Sequence, residues 1–239
     1  MKIIRIFTAL LIVTALSFGG LYLYVSDYYR SDIEAIEAFA GNTDVEMREL
    51  EDGSVAFIPH EYTAGVIFYP GGKVEYTAYE PLMRALAERG ILAVLVKMPL
   101  NLAVLKSNAA DGIPEEFANV EKWYMAGHSL GGSMAASYIA KNSNEFDGLI
   151  MLAAYSTADL TGSGIKVLSI YGSLDRVMND EKYAEYLSNL PTDYTEHVID
   201  GGNHAGFGMY GEQKGDGTAV ITNAEQIVIT ADAIANFVK

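Results

Sequence analysis

The chain of 239 residues contains no cysteine. That absence excludes a disulfide scaffold, a thiolate metal site, a redox CxxC pair and a cysteine nucleophile. Positive charge is also scarce: 16 Lys and Arg stand against 31 Asp and Glu, giving a net charge of −15. Affinity for phosphate backbones comes largely from Lys and Arg releasing counterions, so a nucleic-acid partner is not expected. The sequence has no metal-ligand cluster, no P-loop and no dinucleotide fingerprint. Gly71-Gly72 lacks the G-x-G-x-x-G spacing and its acidic follow-up. No metal or cofactor is therefore expected. There is also no internal repeat, low-complexity tract or linker after residue 40. What remains is half apolar and one-fifth charged, a globular composition at a length that suits one large domain with a sizeable core.

Charge is missing locally as well. Ile6 to Val25 are uncharged and mostly Leu, Ile, Val, Ala and Phe, long enough to cross a bilayer core of about 30 Å as a helix. A cleaved signal peptide has a shorter apolar stretch followed by small residues. Ser17 to Gly20 offer small residues, yet Leu21 to Val25 continue the apolar run, and Tyr22, Tyr24, Tyr28 and Tyr29 suit a membrane–water interface. Residues 1–30 are thus read as one transmembrane helix, a membrane anchor, with a cleaved signal and a secreted product as the alternative. Lys2 and Arg5 precede the run, whereas Asp27, Asp32 and Glu34 surround the lone Arg30 after it. The positive-inside rule then predicts a single-pass protein of the cell membrane with residues 31–239 extracytoplasmic.

From residue 31 on, strand-like runs alternate with helical patterns. Val45 to Leu50 and Val55 to Pro59 flank Asp52-Gly53, a hairpin signal. Gly65 to Tyr69, Ile91 to Met98, Trp123 to Gly127, Leu149 to Ala154 and Ile165 to Tyr171 are near-continuous apolar runs, as in strands buried on both faces of a parallel sheet. Tyr79, Leu82, Met83 and Leu86 fall at helical spacing. So do Ile227, Ala231, Ile234 and Val238, behind the capping-box pattern Thr222-x-x-Glu225. The alternation predicts an α/β fold with a mostly parallel sheet and right-handed crossovers.

The chemistry concentrates in Gly127-His128-Ser129-Leu130-Gly131-Gly132, directly after one predicted strand and before the helical stretch Ser133 to Ala140. A serine between strand and helix in G-x-S-x-G sits on a sharp turn that exposes its hydroxyl, and the helix that follows favours an oxyanion beside it. A serine hydroxyl needs a base, and the base an orienting acid. Of the four histidines, His128 lies inside the turn and is expected to point away from Ser129, and His60 and His197 sit in or beside apparent strands, so all three are read as structural. His204 follows the last predicted strand, Val198-Ile199, and is the candidate base. Asp175, in the turn after Ile165 to Tyr171, is the candidate acid, with Asp159 and Asp180 as competitors. Two amides should hold an oxyanion: the N–H of Leu130, and that of Gly72 or Lys73 in Tyr69-Pro70-Gly71-Gly72-Lys73.

Tyr69-Pro70-Gly71-Gly72, Gly127-His128-Ser129-Leu130-Gly131-Gly132, Gly172-Ser173-Leu174-Asp175 and Gly202-Asn203-His204 together resemble the α/β-hydrolase superfamily. The likeness is to the small bacterial group labelled α/β-hydrolase fold-5, over about residues 45 to 238. Dienelactone hydrolases share that fold but resemble the chain less, because a Cys nucleophile is impossible here. The resemblance implies an α/β-hydrolase fold with helices on both faces of the sheet, and Ser129, Asp175 and His204 in matching positions. The expected activity is that of a carboxylesterase-type serine hydrolase, cleaving a small-molecule ester through an acyl-enzyme. A thioester or amide substrate, or a non-catalytic binding protein, is the alternative. Only Tyr155 to Gly164 separate two predicted strands where a lid would be inserted, so a lid is minimal or absent. Leu100, Leu102, Val104 and Leu105 are available to line an acyl pocket, and the glycine-rich stretch Gly201 to Gly217 reads as a mobile loop beside the base.

Overall fold

A computed structural model describes residues 2–40 and 45–239, although several side chains of the first helix, including those of Lys2 and Arg5, lie outside the described set. Eight strands form one sheet: β1 (Glu46–Glu49), β2 (Val55–Ile58), β3 (Ala64–Tyr69), β4 (Ile91–Leu95), β5 (Lys122–His128), β6 (Gly148–Leu152), β7 (Lys166–Gly172) and β8 (Thr195–Ile199), in the order β1-β2-β4-β3-β5-β6-β7-β8. The hairpin expected around Asp52-Gly53 is present, and β2 runs antiparallel to β4. Every pairing from β4 across to β8 is parallel.

The near-continuous apolar runs are strands covered on both faces. Val66 and Phe68 of β3, with Tyr124 and Ala126 of β5, join one core with α3 (Glu80–Ala87) and α6 (Asn223–Phe237). Ile67, Tyr69 and Met125 point the other way and pack with Ala135, Ala136 and Ile139 of α4 (Leu130–Ile139). Each parallel strand thus needs apolar residues at successive positions, which erases the alternation of a half-exposed strand. The capping box forms as expected: Thr222 Oγ1 accepts from Glu225 N–H, and Glu225 accepts from Thr222 N–H.

Two further helices are α2 (Ile33–Ala40), which the sequence pattern did not signal, and α5 (Asp180–Tyr186). The N-terminal helix α1 (Lys2–Ser26) runs for about 37 Å at 1.5 Å per residue. Most of its described apolar side chains, among them Leu10, Leu11, Val13 and Leu16, are exposed. Among the described residues no helix is long and apolar enough to cross a membrane. The expectation for Ile6 to Val25 falls in part on residues outside that set. No helix or strand interrupts the connection from β6 to β7, so no lid domain stands there.

Candidate active site

The carboxyl ends of β3, β5, β7 and β8 carry the motifs singled out above. β5 ends at His128 and α4 begins at Leu130, so Ser129 alone makes the turn, at φ 51° and ψ −122°. For a residue with a Cβ this is a strained conformation, held by its surroundings. Crowding explains the neighbouring glycines: a Cβ on Gly127 would meet the backbone of Gly131 and Gly132 at 2.6–2.7 Å, and one on Gly131 would run into the carbonyls of Tyr69 and Pro70.

His204 and Asp175 meet as the sequence order suggested. Nδ1 of His204 lies 2.8 Å from Oδ2 of Asp175, with both residues almost fully buried. The other carboxylate oxygen accepts from the Val177 and Met178 amides at 2.8 and 2.9 Å. Burial pushes the Asp175 carboxyl up, but the His204 bond and charge and the two amides outweigh it, leaving the group below its ordinary value. An ionised carboxylate only accepts, so Nδ1 of His204 carries the proton. Nε2 of His204 has no hydrogen-bond partner among the described residues, and a ring that donates from Nδ1 is the one a general base requires. The competing carboxylates are elsewhere: Asp159 is exposed and caps its own turn by accepting from Thr161, and Asp180 is exposed at the start of α5.

The loop after β3 divides its amides among different partners. Gly71 N–H donates to Tyr79 Oη at 3.1 Å, and Lys73 N–H to the Asn101 carbonyl at 2.8 Å. Among the described residues Gly72 N–H, between them, has no acceptor, and neither does Leu130 N–H at the first turn of α4. A Cβ on Gly72 would stand 2.7 Å from Leu130 Cδ2, so the two unclaimed amides belong to residues in contact. Ser129, Leu130 and Gly72 are all partly exposed, hence reachable from solvent.

Several residues the motifs did not mark complete the arrangement. His128, the residue preceding Ser129, packs its ring 4.5 Å from that of His204. Tyr79 Oη, which accepts from Gly71 N–H, lies 2.8 Å from His128 Nδ1 and shares a hydrogen bond with it. Burial, followed by the His204 ring, holds His128 well below the ordinary imidazole value, so it is neutral. Gln226 of α6, fully buried, accepts from Asn203 N–H at 3.0 Å and donates to the Asn203 carbonyl at 2.8 Å. Asp216 accepts from the amides of Ala205 and Arg176, tying the His204 loop to the Asp175 turn. The stretch Gly201 to Gly217 is therefore pinned by hydrogen bonds and mostly buried up to Tyr210. This departs from the expected mobility, because acceptors distant in sequence compensate for its glycines. A polar Gln at the inward face of an otherwise apolar helix was the available sign. His60 is exposed and His197 lies on the edge strand β8, both away from this cluster. Among the described residues no group of three or more His, Asp or Glu could hold a metal ion.

Comparison with known proteins agrees with this architecture. A dienelactone hydrolase from Anabaena variabilis superposes with a TM-score of 0.59 at 16% identity, covering 81% of this chain and 97% of its own. The esterase domain of a Rhodothermus marinus protein gives 0.59 at 12% identity, covering 81% and 96%. At such identities the likeness is one of fold. None of the curated proteins matches the sequence. The model of the alpha/beta hydrolase family, however, matches residues 65–228, most of the chain and all of the site, and the chain belongs to that family.

Proposed function

We propose that this hydrolase is a serine esterase in which Ser129 attacks a carboxylic ester. The observation that carries the reading is the buried Asp175–His204 pair, whose Nε2 has no hydrogen-bond partner among the described residues and whose ring packs 4.5 Å from that of His128, the residue before Ser129. His204 takes the Ser129 proton as Oγ bonds to the acyl carbon, and the oxyanion that forms accepts from the Leu130 and Gly72 amides. Collapse expels the alcohol with the proton from His204 and leaves the acyl group on Ser129. Water, deprotonated in turn by His204, then releases the acid and restores the serine. Asp175 keeps Nδ1 protonated and stabilises the imidazolium. Lys73, its amide bonded to Asn101, has no part as a donor in this reading.

The lid-free β6–β7 connection suits exposed or short acyl groups. Leu100, Val104 and Leu105, each more than half exposed beside the oxyanion loop, give an apolar surface for them. The uncharged run within α1 is proposed as a membrane anchor that places residues 31–239 outside the cytoplasm, on the strength of its length and its flanking charges.

A fluorophosphonate should label the full-length protein at Ser129. The label should vanish in Ser129→Ala and fall steeply in His204→Ala, and both should lower ester turnover by roughly 10³ to 10⁶. Labelling of Ser129→Ala equal to the parent sinks the assignment. Recovery in the membrane fraction after a high-salt wash, with release only by detergent, is the expected result for the anchor, and a soluble product beginning between Gly19 and Val25 would overturn it.

A further inference from the structure

The residues between α1 and α2 do not hang as a tether. Tyr29 N–H donates to the Lys73 carbonyl at 2.8 Å and Glu75 N–H donates to the Tyr29 carbonyl at 2.9 Å, so Tyr29 forms a parallel bridge with Val74. Ser31 N–H donates to the Glu75 carboxylate at 3.0 Å, and the Ser31 and Thr77 hydroxyls are 2.5 Å apart. Asp27 pairs with Lys73 Nζ at 2.9 Å, and the same ammonium lies 4.7 Å from the Tyr24 ring centroid at the end of α1. The segment also reaches the loop that carries His204. Asp32 N–H donates to the Met209 carbonyl at 2.8 Å, Lys214 N–H to Tyr29 Oη at 3.1 Å, and the rings of Tyr29 and Tyr210 pack at 5.7 Å.

We propose that residues 27–32 act as a strap that positions the oxyanion donor, with Tyr29 as its central positioning residue; this rests on the reading of Gly72 N–H as that donor. The loop needs such support. Lys73, directly after Gly72, has φ 59°, a left-handed conformation that a lysine keeps only where its surroundings over-determine it. Tyr79 and Asn101 fix the amides of Gly71 and Lys73. Among the described residues, the Lys73 carbonyl and the Glu75 amide, on the far side of the turn, are fixed by Tyr29 alone. The Gly72 N–H belongs to the peptide whose carbonyl, that of Gly71, accepts from Val74 N–H at 3.3 Å, and Val74 is the residue that bridges to Tyr29. With the two strap bonds broken, Val74 shifts and that peptide plane turns with it. Because the strap begins where α1 ends, the N-terminal helix and the oxyanion loop are held by one run of main chain.

An oxyanion exists in the transition state and not in bound substrate, so a misplaced donor lowers kcat and leaves KM alone. Glu75 already has φ −61°, the proline value. Glu75→Pro therefore fits the backbone while it deletes the N–H to Tyr29 and the carboxylate that accepts from Ser31, whereas Glu75→Gln keeps an N–H and a side-chain oxygen there. In full-length protein in detergent, Glu75→Pro should lower kcat for a short ester about tenfold. It should weaken binding of a trifluoromethyl ketone, which forms a tetrahedral adduct with the serine, by the same factor. KM should stay within about twofold, and Glu75→Gln should match the parent. Parental kcat and ketone affinity in a folded Glu75→Pro protein, or a change in KM alone, overturn the proposal. If Glu75→Pro does not melt cooperatively, Ser31→Ala with Thr77→Val removes the hydroxyl pair instead. That variant should show a smaller loss, about threefold, with the same split, and no loss in it overturns the proposal. A parent that neither turns over esters nor reacts with fluorophosphonate would instead overturn the esterase reading on which the strap's role depends.

Discussion

The two edges of the parallel sheet handle left-handed backbone differently. At the amino edge, the turns entering β4 and β7 use Gly90 and Gly164, with φ 76° and 74°, where the lack of a Cβ makes the conformation inexpensive. At the carboxyl edge, the non-glycine residues with positive φ are Lys73 after β3, Leu100 and Asn101 after β4, Ser129 after β5 and Ala153 after β6. Among the described residues there are no others. Each costs on the order of 1 kcal/mol or more relative to a relaxed residue. The carboxyl edge also holds the buried polar residues His128, Asp175 and His204. One edge thus minimises strain and the other stores it where side chains and amides must be aimed, which is the pattern expected when function is grafted onto a scaffold.

The contrast can be tested from either edge. The largest effect is expected at the carboxyl edge: Asp175→Asn should lower ester turnover by about 10⁴, because an amide favours the wrong imidazole tautomer and cannot stabilise the imidazolium. Asp159→Asn, on an exposed turn, should match the parent in the same assay. Gly72→Ala comes next. Its new methyl would press on Leu130 Cδ2 at 2.7 Å, displacing one of the two amides, and kcat should fall by about 10² to 10³ with KM little changed. At the amino edge, Gly90→Ala should cost about 1–2 kcal/mol in a denaturant titration, through its φ of 76°, while kcat stays at the parental value. A larger effect on activity than on stability at Gly90 would erase the distinction between the edges.

The smallest effect concerns pH. His128 is held below its ordinary value of 6.5 in the folded chain, so below pH 6.5 the unfolded state binds a proton that the folded state does not. Stability should then decline as pH falls from 6.5, by up to about 1.4 kcal/mol per pH unit. Asp175 is depressed below 3.8, so its contribution is complete above that pH and is lost only as pH falls through its folded value. Melting temperature against pH should show two acid-side losses, and His128→Asn should remove the one nearer neutrality.

Much of this was legible because its causes are short-range. Apolar runs revealed strands covered on both faces, Asp52-Gly53 marked the hairpin, and Thr222-x-x-Glu225 marked the start of α6. Ser129 could be placed because strand, glycine and helix constrain one another within a few residues. Helix α2 was missed because IEAIEAFA is too short to show a period on its own, and much of its burial comes from α3. The mobility expected of Gly201 to Gly217 failed for a related reason: glycine content reports conformational freedom of the isolated chain, whereas Asp216, Asn203 and Asn223 remove it in the fold.

By itself, then, the sequence determined the layered α/β architecture and the order Ser129, Asp175, His204 along the chain, since periodicity and turn sterics act between near neighbours. Tertiary structure decided which amides stay unclaimed and which groups hold the reacting residues in place. Those partners are far apart in sequence: Tyr79 and His128 by 49 residues, Gln226 and Asn203 by 23. The Tyr29 bonds to Lys73 and Glu75 cross a comparable gap. A hydrogen bond is directional and acts over about 3 Å, so only the folded backbone selects which distant donor and acceptor meet.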